Sequence, residues 1–280
     1  MCGRYAASRQ PEDLVEEFEV DDVAEEPVPP SWNVAPTNRV HAVLERLDKE
    51  HPQEDPRRRL AVVTWGLVPS WAKDPSIGSR MINARLETAP EKPAFRRAFA
   101  ARRCLVPADG YYEWYTPPEG AEPAAGAKGG KAKKPPKQPF FITRSDGRPL
   151  AMAGLYELWK DPAAPDDAPG GGWLWTCTLL TTSAVDGLGR IHDRMPLLVE
   201  PERYDQWLDP RVSDVDSLRG LLVPAMPGVL RAFPVSTAVN NVRNDGPQLV
   251  EPLPAEGEAA AQADGEPTPG AAGADQPSLF

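Results

Sequence analysis

The chain opens Met1-Cys2-Gly3-Arg4-Tyr5, and the rest of the sequence is organised around these five residues. Cys is small enough at position 2 for the initiator Met to be removed, which leaves Cys2 with a thiol and a free α-amine on neighbouring carbons. Unperturbed, the amine titrates near ~7.7–8.0 and the thiol near ~8.5, so modest tuning makes both nucleophilic at neutral pH. No cofactor is needed. Any primary amine can capture an aldehyde as a Schiff base, but only an N-terminal Cys can then close its sulfur onto the imine carbon as a five-membered thiazolidine. The plain alternative is a small buried hydrophobe near a frayed terminus, and the remainder of the chain decides between the two.

Working outward, 280 residues are enough to bury a substantial core. The 34 prolines favour many short strands and turns over long helices. No apolar run of transmembrane length occurs and no apolar signal core follows Met1, so a cytoplasmic protein is expected. Cys2, Cys104 and Cys177 lack paired or CxxC spacing, and with three His residues they give no ligand set for a metal. No cofactor is expected. The net charge of −10 excludes a protein coated in positive charge for duplex DNA. Five of those charges lie on Glu256, Glu258, Asp264, Glu266 and Asp275, which leaves −5 on residues 1–253. A local groove built from some of Arg4, Arg39, Arg80, Arg85, Arg96, Arg97, Arg102 and Arg103 is compatible with that balance.

Pro11-Glu12-Asp13 followed by Leu14, Val15 and Phe18 predicts a short amphipathic helix with Pro and acids in its first turn. Residues 21–30 read as a surface connection and Trp32 to Thr37 as an ordered loop. Val40 to Leu47, Leu60 to Trp65, Arg103 to Val106, Gly110 to Tyr115, Pro139 to Ile142, Leu150 to Trp159 and Trp173 to Thr182 read as strands. Helices are expected at Lys92 to Ala101, Pro201 to Leu208 and Val215 to Leu222, with a last strand at Phe233 to Ser236. The pattern predicts an α+β fold: a curved, mixed sheet or partial barrel with short helices around it, over residues 1–253. Residues 117–138, rich in Pro, Gly, Ala and Lys, read as a disordered insertion, and 254–280 as a disordered acidic tail.

Three stretches set functional side chains beside Gly or Pro breaks, where scaffolds display rather than bury them: Asn83-Ala84-Arg85, Gly110-Tyr111-Tyr112-Glu113-Trp114 and Ile191-His192-Asp193-Arg194-Met195-Pro196. A carboxylate between aromatics has its pKa raised by desolvation, which suits Glu113 to acid/base work; a Glu on the wet face of a strand is the other reading. Asp193 or Arg194 could bias the tautomer or charge of His192, although a lone His is more often structural.

Taken in order with Trp32-Asn33-Val34-Ala35-Pro36, Trp65-Gly66-Leu67-Val68-Pro69-Ser70-Trp71, Asn83 to Thr88 and Pro234 to Asn244, these motifs resemble the SOS-response-associated peptidase (SRAP) family over roughly residues 1–253. The resemblance implies an abasic site processing protein, a sensor and shield of abasic sites in single-stranded DNA that crosslinks itself to the ring-opened sugar through Cys2. It implies Cys2 as nucleophile, Asn83 as holder of the α-amine, Glu113 as proton carrier and His192 as acid or electrostatic support at the sugar oxygen. It further implies phosphate contacts from Arg4 and Arg85, and Pro36, Trp71 and Thr181 along the path of the strand. An exposed Trp suits unpaired bases, whose π-faces are worth about 1–3 kcal/mol each. Two other classes remain open at this point: an N-terminal-nucleophile cysteine amidohydrolase or protease, and a non-covalent single-stranded DNA-binding module. The expected state is a monomer. The tail ends Gln276-Pro277-Ser278-Leu279-Phe280, similar to the peptide that bacterial replication and repair proteins insert into the DNA sliding clamp, which makes Gln276, Leu279 and Phe280 candidate clamp contacts.

Overall fold

The computed structural model describes residues 2–24, 28–48, 50, 51, 53–116, 137–165, 167–184, 186–222, 224–226 and 228–254. Nearly all of the expected Lys-rich insertion (117–136) and the acidic tail with Gln276, Leu279 and Phe280 lie outside the described residues. In chain order the elements are β1 (Tyr5–Ala7), α1 (Pro11–Phe18), β2 (Asp22–Val23), β3 (Ser31–Val34), β4 (Arg39–Arg46), β5 (Arg57–Trp65), β6 (Asn83–Arg85), α2 (Arg96–Ala101), β7 (Arg103–Ala108) and β8 (Gly110–Tyr115). There follow β9 (Gln138–Arg144), β10 (Leu150–Lys160), β11 (Trp173–Ser183), β12 (Arg194–Pro196), α3 (Tyr204–Leu208), α4 (Val215–Leu221) and β13 (Leu230–Pro234).

Five strands close on themselves. The order β11-β10-β7-β4-β5 is antiparallel throughout, and β5 returns to β11 in parallel through Thr176↔Thr64 and Cys177↔Trp65. The result is a mixed barrel, with β6 added in parallel and β12 in antiparallel sense along the outer half of β11. A second sheet, β13-β9-β8-β1-β3, packs beside it. The barrel strands are apolar on both faces because both are covered. One face carries Val40, Ala42, Leu44, Trp65, Cys104 and Cys177 into a core shared with Cys2, Tyr5 and Tyr111 of the second sheet. The other carries Val43, Leu60, Leu105 and Leu155 against α1 to α4, through Leu14, Phe18, Phe99, Trp207 and Leu218.

α1 begins at Pro11 with Glu12 and Asp13 in its first turn, and Glu19 ends it in the left-handed region at φ 52°. Arg103, named above for a possible groove, is instead buried. Its guanidinium donates to the carbonyls of Phe99, Ala100, Trp207, Asp209 and Val212, which pins α2 and the end of α3 to the barrel.

Several boundaries differ from the sequence reading. Trp32–Val34 lies in a strand, β3, paired with β1 through Tyr5↔Val34, because the buried Asn33 side chain donates to the carbonyls of Val239, Asn241 and Asn244 and fixes the backbone extended. Asp22–Val23 in the surface connection forms a short parallel strand on β5. α2 starts at Arg96 rather than Lys92, and the residues before it form turns in which the Phe95 and Arg96 amides donate to the Lys92 carbonyl. Gln138, assigned to the insertion, already pairs with Tyr115. The last strand starts three residues earlier than expected and ends two earlier. Among the described residues no helix is long and apolar enough to cross a membrane.

Candidate functional site

Backbone pairing brings three distant segments to the start of the chain. β1 runs antiparallel to β8 with Tyr5 opposite Tyr111 and Ala6 opposite Gly110. Continued by two residues, that register sets Glu113 across from Gly3 and beside Cys2. On its other side β8 lies close to β9 at Gly110, where a Cβ would run into the ring of Phe141 and the Ile142 carbonyl. β6 is held along β11 with Asn83 opposite Leu179, and its side-chain amide donates to the Cys2 carbonyl at 2.6 Å. The other amide atom, Asn83 Oδ1, is buried and accepts no hydrogen bond among the described residues. It is a vacant acceptor within an amide's width of the Cys2 backbone.

Cys2 is fully buried, its Sγ 3.8 Å from the Arg4 carbonyl. Burial, and secondly the Glu113 carboxylate, push the thiol well above its ordinary range. Glu113 is 3% exposed, and burial pushes its carboxyl from 4.5 up to about 7, with Asp193 adding to the rise and Lys137 opposing it. His192 follows a 3-10 turn at Asp186–Arg190 and precedes β12. Its Nδ1 lies 3.0 Å from the Arg194 amide and 2.9 Å from Asp193 Oδ1. The amide contact needs a bare Nδ1 and the carboxylate contact a protonated one. Burial depresses the His192 pKa despite Asp193, which favours the bare Nδ1 and leaves the proton on Nε2. Cys2, Asn83 and Glu113 are thus assembled at one end of the inner core, with His192 on the turn whose Asp193 bears on Glu113.

The expected strand-path residues divide. Trp71 is 58% exposed, Arg85 is exposed, and Pro36 is half-buried on a loop tied to the Trp71 loop by the Thr37 amide on the Trp65 carbonyl. Arg4 is half-buried: Nη1 donates to Asn33 Oδ1 at 2.8 Å and to the Val239 carbonyl at 3.0 Å, and the guanidinium lies 6.0 Å over the Trp114 ring. Thr181 is not at the surface. It is fully buried, with its hydroxyl and carbonyl both accepting from Arg194. Arg194 also clamps Glu87 bidentately at 2.6 and 3.0 Å, so it fastens β12 to the segment that follows Arg85. Asn33 and Trp114 lie in motifs noted in the sequence without a role of their own, and Arg194, read there for its bearing on His192, also holds Glu87 and Thr181. A buried amide between a Trp and a Val was the available signal for Asn33; nothing local marks the partners of Arg194. Among the described residues no cluster of His, Cys, Asp and Glu could hold a metal ion.

A family model described as SOS response associated peptidase (SRAP) matches residues 1–242. The chain belongs to the SRAP family. Relatives of this SRAP chain include the abasic site processing protein YoqW of Bacillus subtilis, 36% identical over 252 residues that cover 90% of this chain and 99% of the relative. YedK of Escherichia coli, also named an abasic site processing protein, is 34% identical with 90% and 100% covered. HMCES of Xenopus tropicalis, of the same description, is 30% identical with 89% and 78% covered. Among solved structures, a protein from Bacteroides thetaiotaomicron superposes with a TM-score of 0.69 at 23% identity, covering 90% of this chain and 100% of that one, which establishes the shared fold. A phage-related protein from Bordetella bronchiseptica superposes with a TM-score of 0.58 at 30% identity, with 84% and 94% covered.

Proposed function

We propose that this SRAP chain recognises abasic sites in single-stranded DNA and captures them covalently through Cys2. The observation that carries the reading is the Asn83 to Cys2 hydrogen bond beside a buried Glu113 whose pKa lies near neutrality. Together they place the second residue of the chain, held by its backbone, against a group able to give and take a proton at physiological pH.

Once Met1 is removed, the Cys2 amine has Asn83 Oδ1 as a ready acceptor. Glu113 carries the proton of the C1′ hydroxyl to the ring oxygen of the closed deoxyribose as that oxygen leaves C1′, with His192 Nε2–H donating a hydrogen bond to it; the aldehyde is the product. The amine adds to C1′, and Glu113 passes the two protons that the nitrogen sheds to the C1′ oxygen, which departs as water and leaves an imine. Sulfur then bonds to C1′ as its proton passes to the imine nitrogen, closing the thiazolidine. The net change is loss of one water with no oxidant or reductant. A thiol held protonated by burial suits this order, since sulfur acts second.

The test mixes the protein with single-stranded DNA bearing one abasic site and resolves the products after heating in denaturant. A heat-stable adduct is expected from the parent chain, and only a reversible one from Cys2→Ser or Cys2→Ala, both of which keep the α-amine and lose the sulfur. Amide turnover that needs Cys2 without any adduct would move the assignment to a cysteine amidohydrolase. Affinity indifferent to Cys2→Ala, with no covalent product, would make it a binding module.

The partner set we propose is single-stranded abasic DNA and, through Gln276, Leu279 and Phe280, the bacterial sliding clamp; the acidic stretch from Pro254 contains no other large apolar residue for the Leu-Phe pair to pack with. Leu279→Ala with Phe280→Ala should abolish retention on immobilised clamp, and no retention of the intact chain would end this part of the proposal.

A further inference from the structure

Beside the site is a cavity of about 460 Å³ that the chemistry above does not use. Tyr115, Phe140, Ile191, Met195 and Leu230 line it, together with the exposed Arg190 and Met226. It shares walls with the site. Phe140 is the cross-strand partner of Glu113, so the two side chains leave the same face of the sheet, and Ile191 immediately precedes His192. Several of its lining residues, including Ile191, Leu230 and Ala232, also pack on the core that contains Cys2.

Its size and lining call for an occupant. A lone deoxyribose needs far less room, and the volume lies within the range of pockets that enclose a multi-ring ligand. The Tyr115 and Phe140 rings stand edge to face, with centroids 6.3 Å apart at 82°, which makes a corner where a flat ring can lie against one aromatic face. Arg190 is exposed, and among the described residues it makes no ion pair and no carboxylate lines the cavity. Met226, 74% exposed, offers an adaptable apolar lip. Aromatic faces with one uncompensated cation and no acid fit a base attached to a phosphate, and disfavour a basic or acidic peptide.

We propose that this cavity is a nucleobase subsite, seating the base of one nucleotide adjacent to the abasic sugar against Tyr115 and Phe140, with Arg190 on the neighbouring phosphate. The inference rests on the reading of the chain as an abasic-DNA protein and adds to it how the strand is anchored. An abasic site offers no base of its own, so a flanking base is the nearest aromatic handle by which the lesion can be drawn to Cys2. Stacked bases on such platforms resist alanine substitution by about fivefold or more in affinity.

The experiment uses four single-stranded oligonucleotides with one abasic site each: both neighbours intact, the 5′ neighbour replaced by a baseless tetrahydrofuran spacer, the 3′ neighbour so replaced, and both replaced. Adduct formation at subsaturating DNA should slow about fivefold or more when one particular neighbour loses its base. Tyr115→Ala and, separately, the surface change Arg190→Ala should slow the intact substrate, and Tyr115→Ala should erase the difference between substrates. A second readout needs no chemistry: 2-aminopurine at the responsive position should change its emission on binding the parent chain and not on binding Tyr115→Ala. Equal rates on all four oligonucleotides, or base dependence that survives in Tyr115→Ala, would overturn the subsite while leaving the crosslinking intact. Absence of an adduct with every oligonucleotide would instead remove the functional reading itself, and the subsite with it.

Discussion

At Glu113 the needs of chemistry and of stability oppose each other. Its carboxyl is moved from 4.5 to about 7 chiefly by burial, so the folded chain holds this proton more tightly than the unfolded chain does. The stabilising contribution is complete below pH 4.5 and lost as pH rises through 7; at pH 8 the folded protein carries a buried carboxylate at a cost on the order of 3 kcal/mol. Glu113→Gln has no such charge. Thermal denaturation should therefore show the variant gaining on the parent between pH 5 and pH 8, with adduct formation falling about 10²-fold or more because the proton carrier is gone. A melting difference that does not change with pH would show that the carboxyl does not titrate in this window. Asn83 makes a contrasting case. Its amide positions Cys2 through one hydrogen bond, worth about 1 kcal/mol to folding, whereas a displacement of about 1 Å at a reacting group can cost about 10²-fold in rate. Asn83→Ala should melt within a few degrees of the parent and crosslink more than tenfold slower, measured by single-turnover gel assay.

At the scale of elements, strands with β-branched or aromatic runs were readable from sequence, and so was α1, whose Pro11 and acids announce a first turn. β3 was not, because Asn33 and Pro36 look like loop residues until the carbonyls that Asn33 satisfies, more than 200 positions away, are in place. Site residues were nameable one at a time from their motifs, but the contact of Asn83 with Cys2 depends on β6 lying along β11 and on β8 lying along β1, pairings that no local pattern specifies. Thr181 shows the converse: β11 buries it wholly where an exposed wall was expected. The turn after β5 has a similarly nonlocal basis. Gly66 has φ +136°, and a Cβ there would sit 2.6 Å from the Gly78 carbonyl oxygen, while a Cβ on Gly78 would meet the Gly66 carbonyl in return. The two glycines let the Trp71 loop cross the segment leading to Asn83. Gly66→Ala should lower stability by about 2 kcal/mol or more, from backbone strain and the collision together, read as a shift of the urea midpoint. It should also weaken binding of undamaged single-stranded DNA, since Trp71 is carried on the displaced loop.

For the whole molecule the question is how an acidic protein holds a polyanion. The charge is −10 in total, −5 within residues 1–253, and many of its cations are already engaged inside the protein. Arg103 donates to five carbonyls, Arg58 pairs with Glu45 and Asp205, Arg102 with Glu157, and Arg194 with Glu87. Arg4 is half engaged by Asn33; it, Arg85 and Arg190 are the arginines that the proposed strand path engages. Each phosphate neutralised on a single strand contributes roughly −0.7 to the slope of log affinity against log salt, so three such contacts give a slope of about −2. The rest of the affinity must come from contacts that salt barely touches: the exposed Trp71, the Tyr115 corner and capture of the sugar itself. Fluorescence anisotropy of a labelled single strand, with Cys2→Ala to prevent thiazolidine closure, should return that shallow slope between low and physiological salt. Excising residues 117–136, which contain Lys128, Lys131, Lys133 and Lys134, should leave it unchanged. A slope several times steeper that flattens on excision would instead place the main phosphate contacts on those lysines and make the arginines near Cys2 secondary.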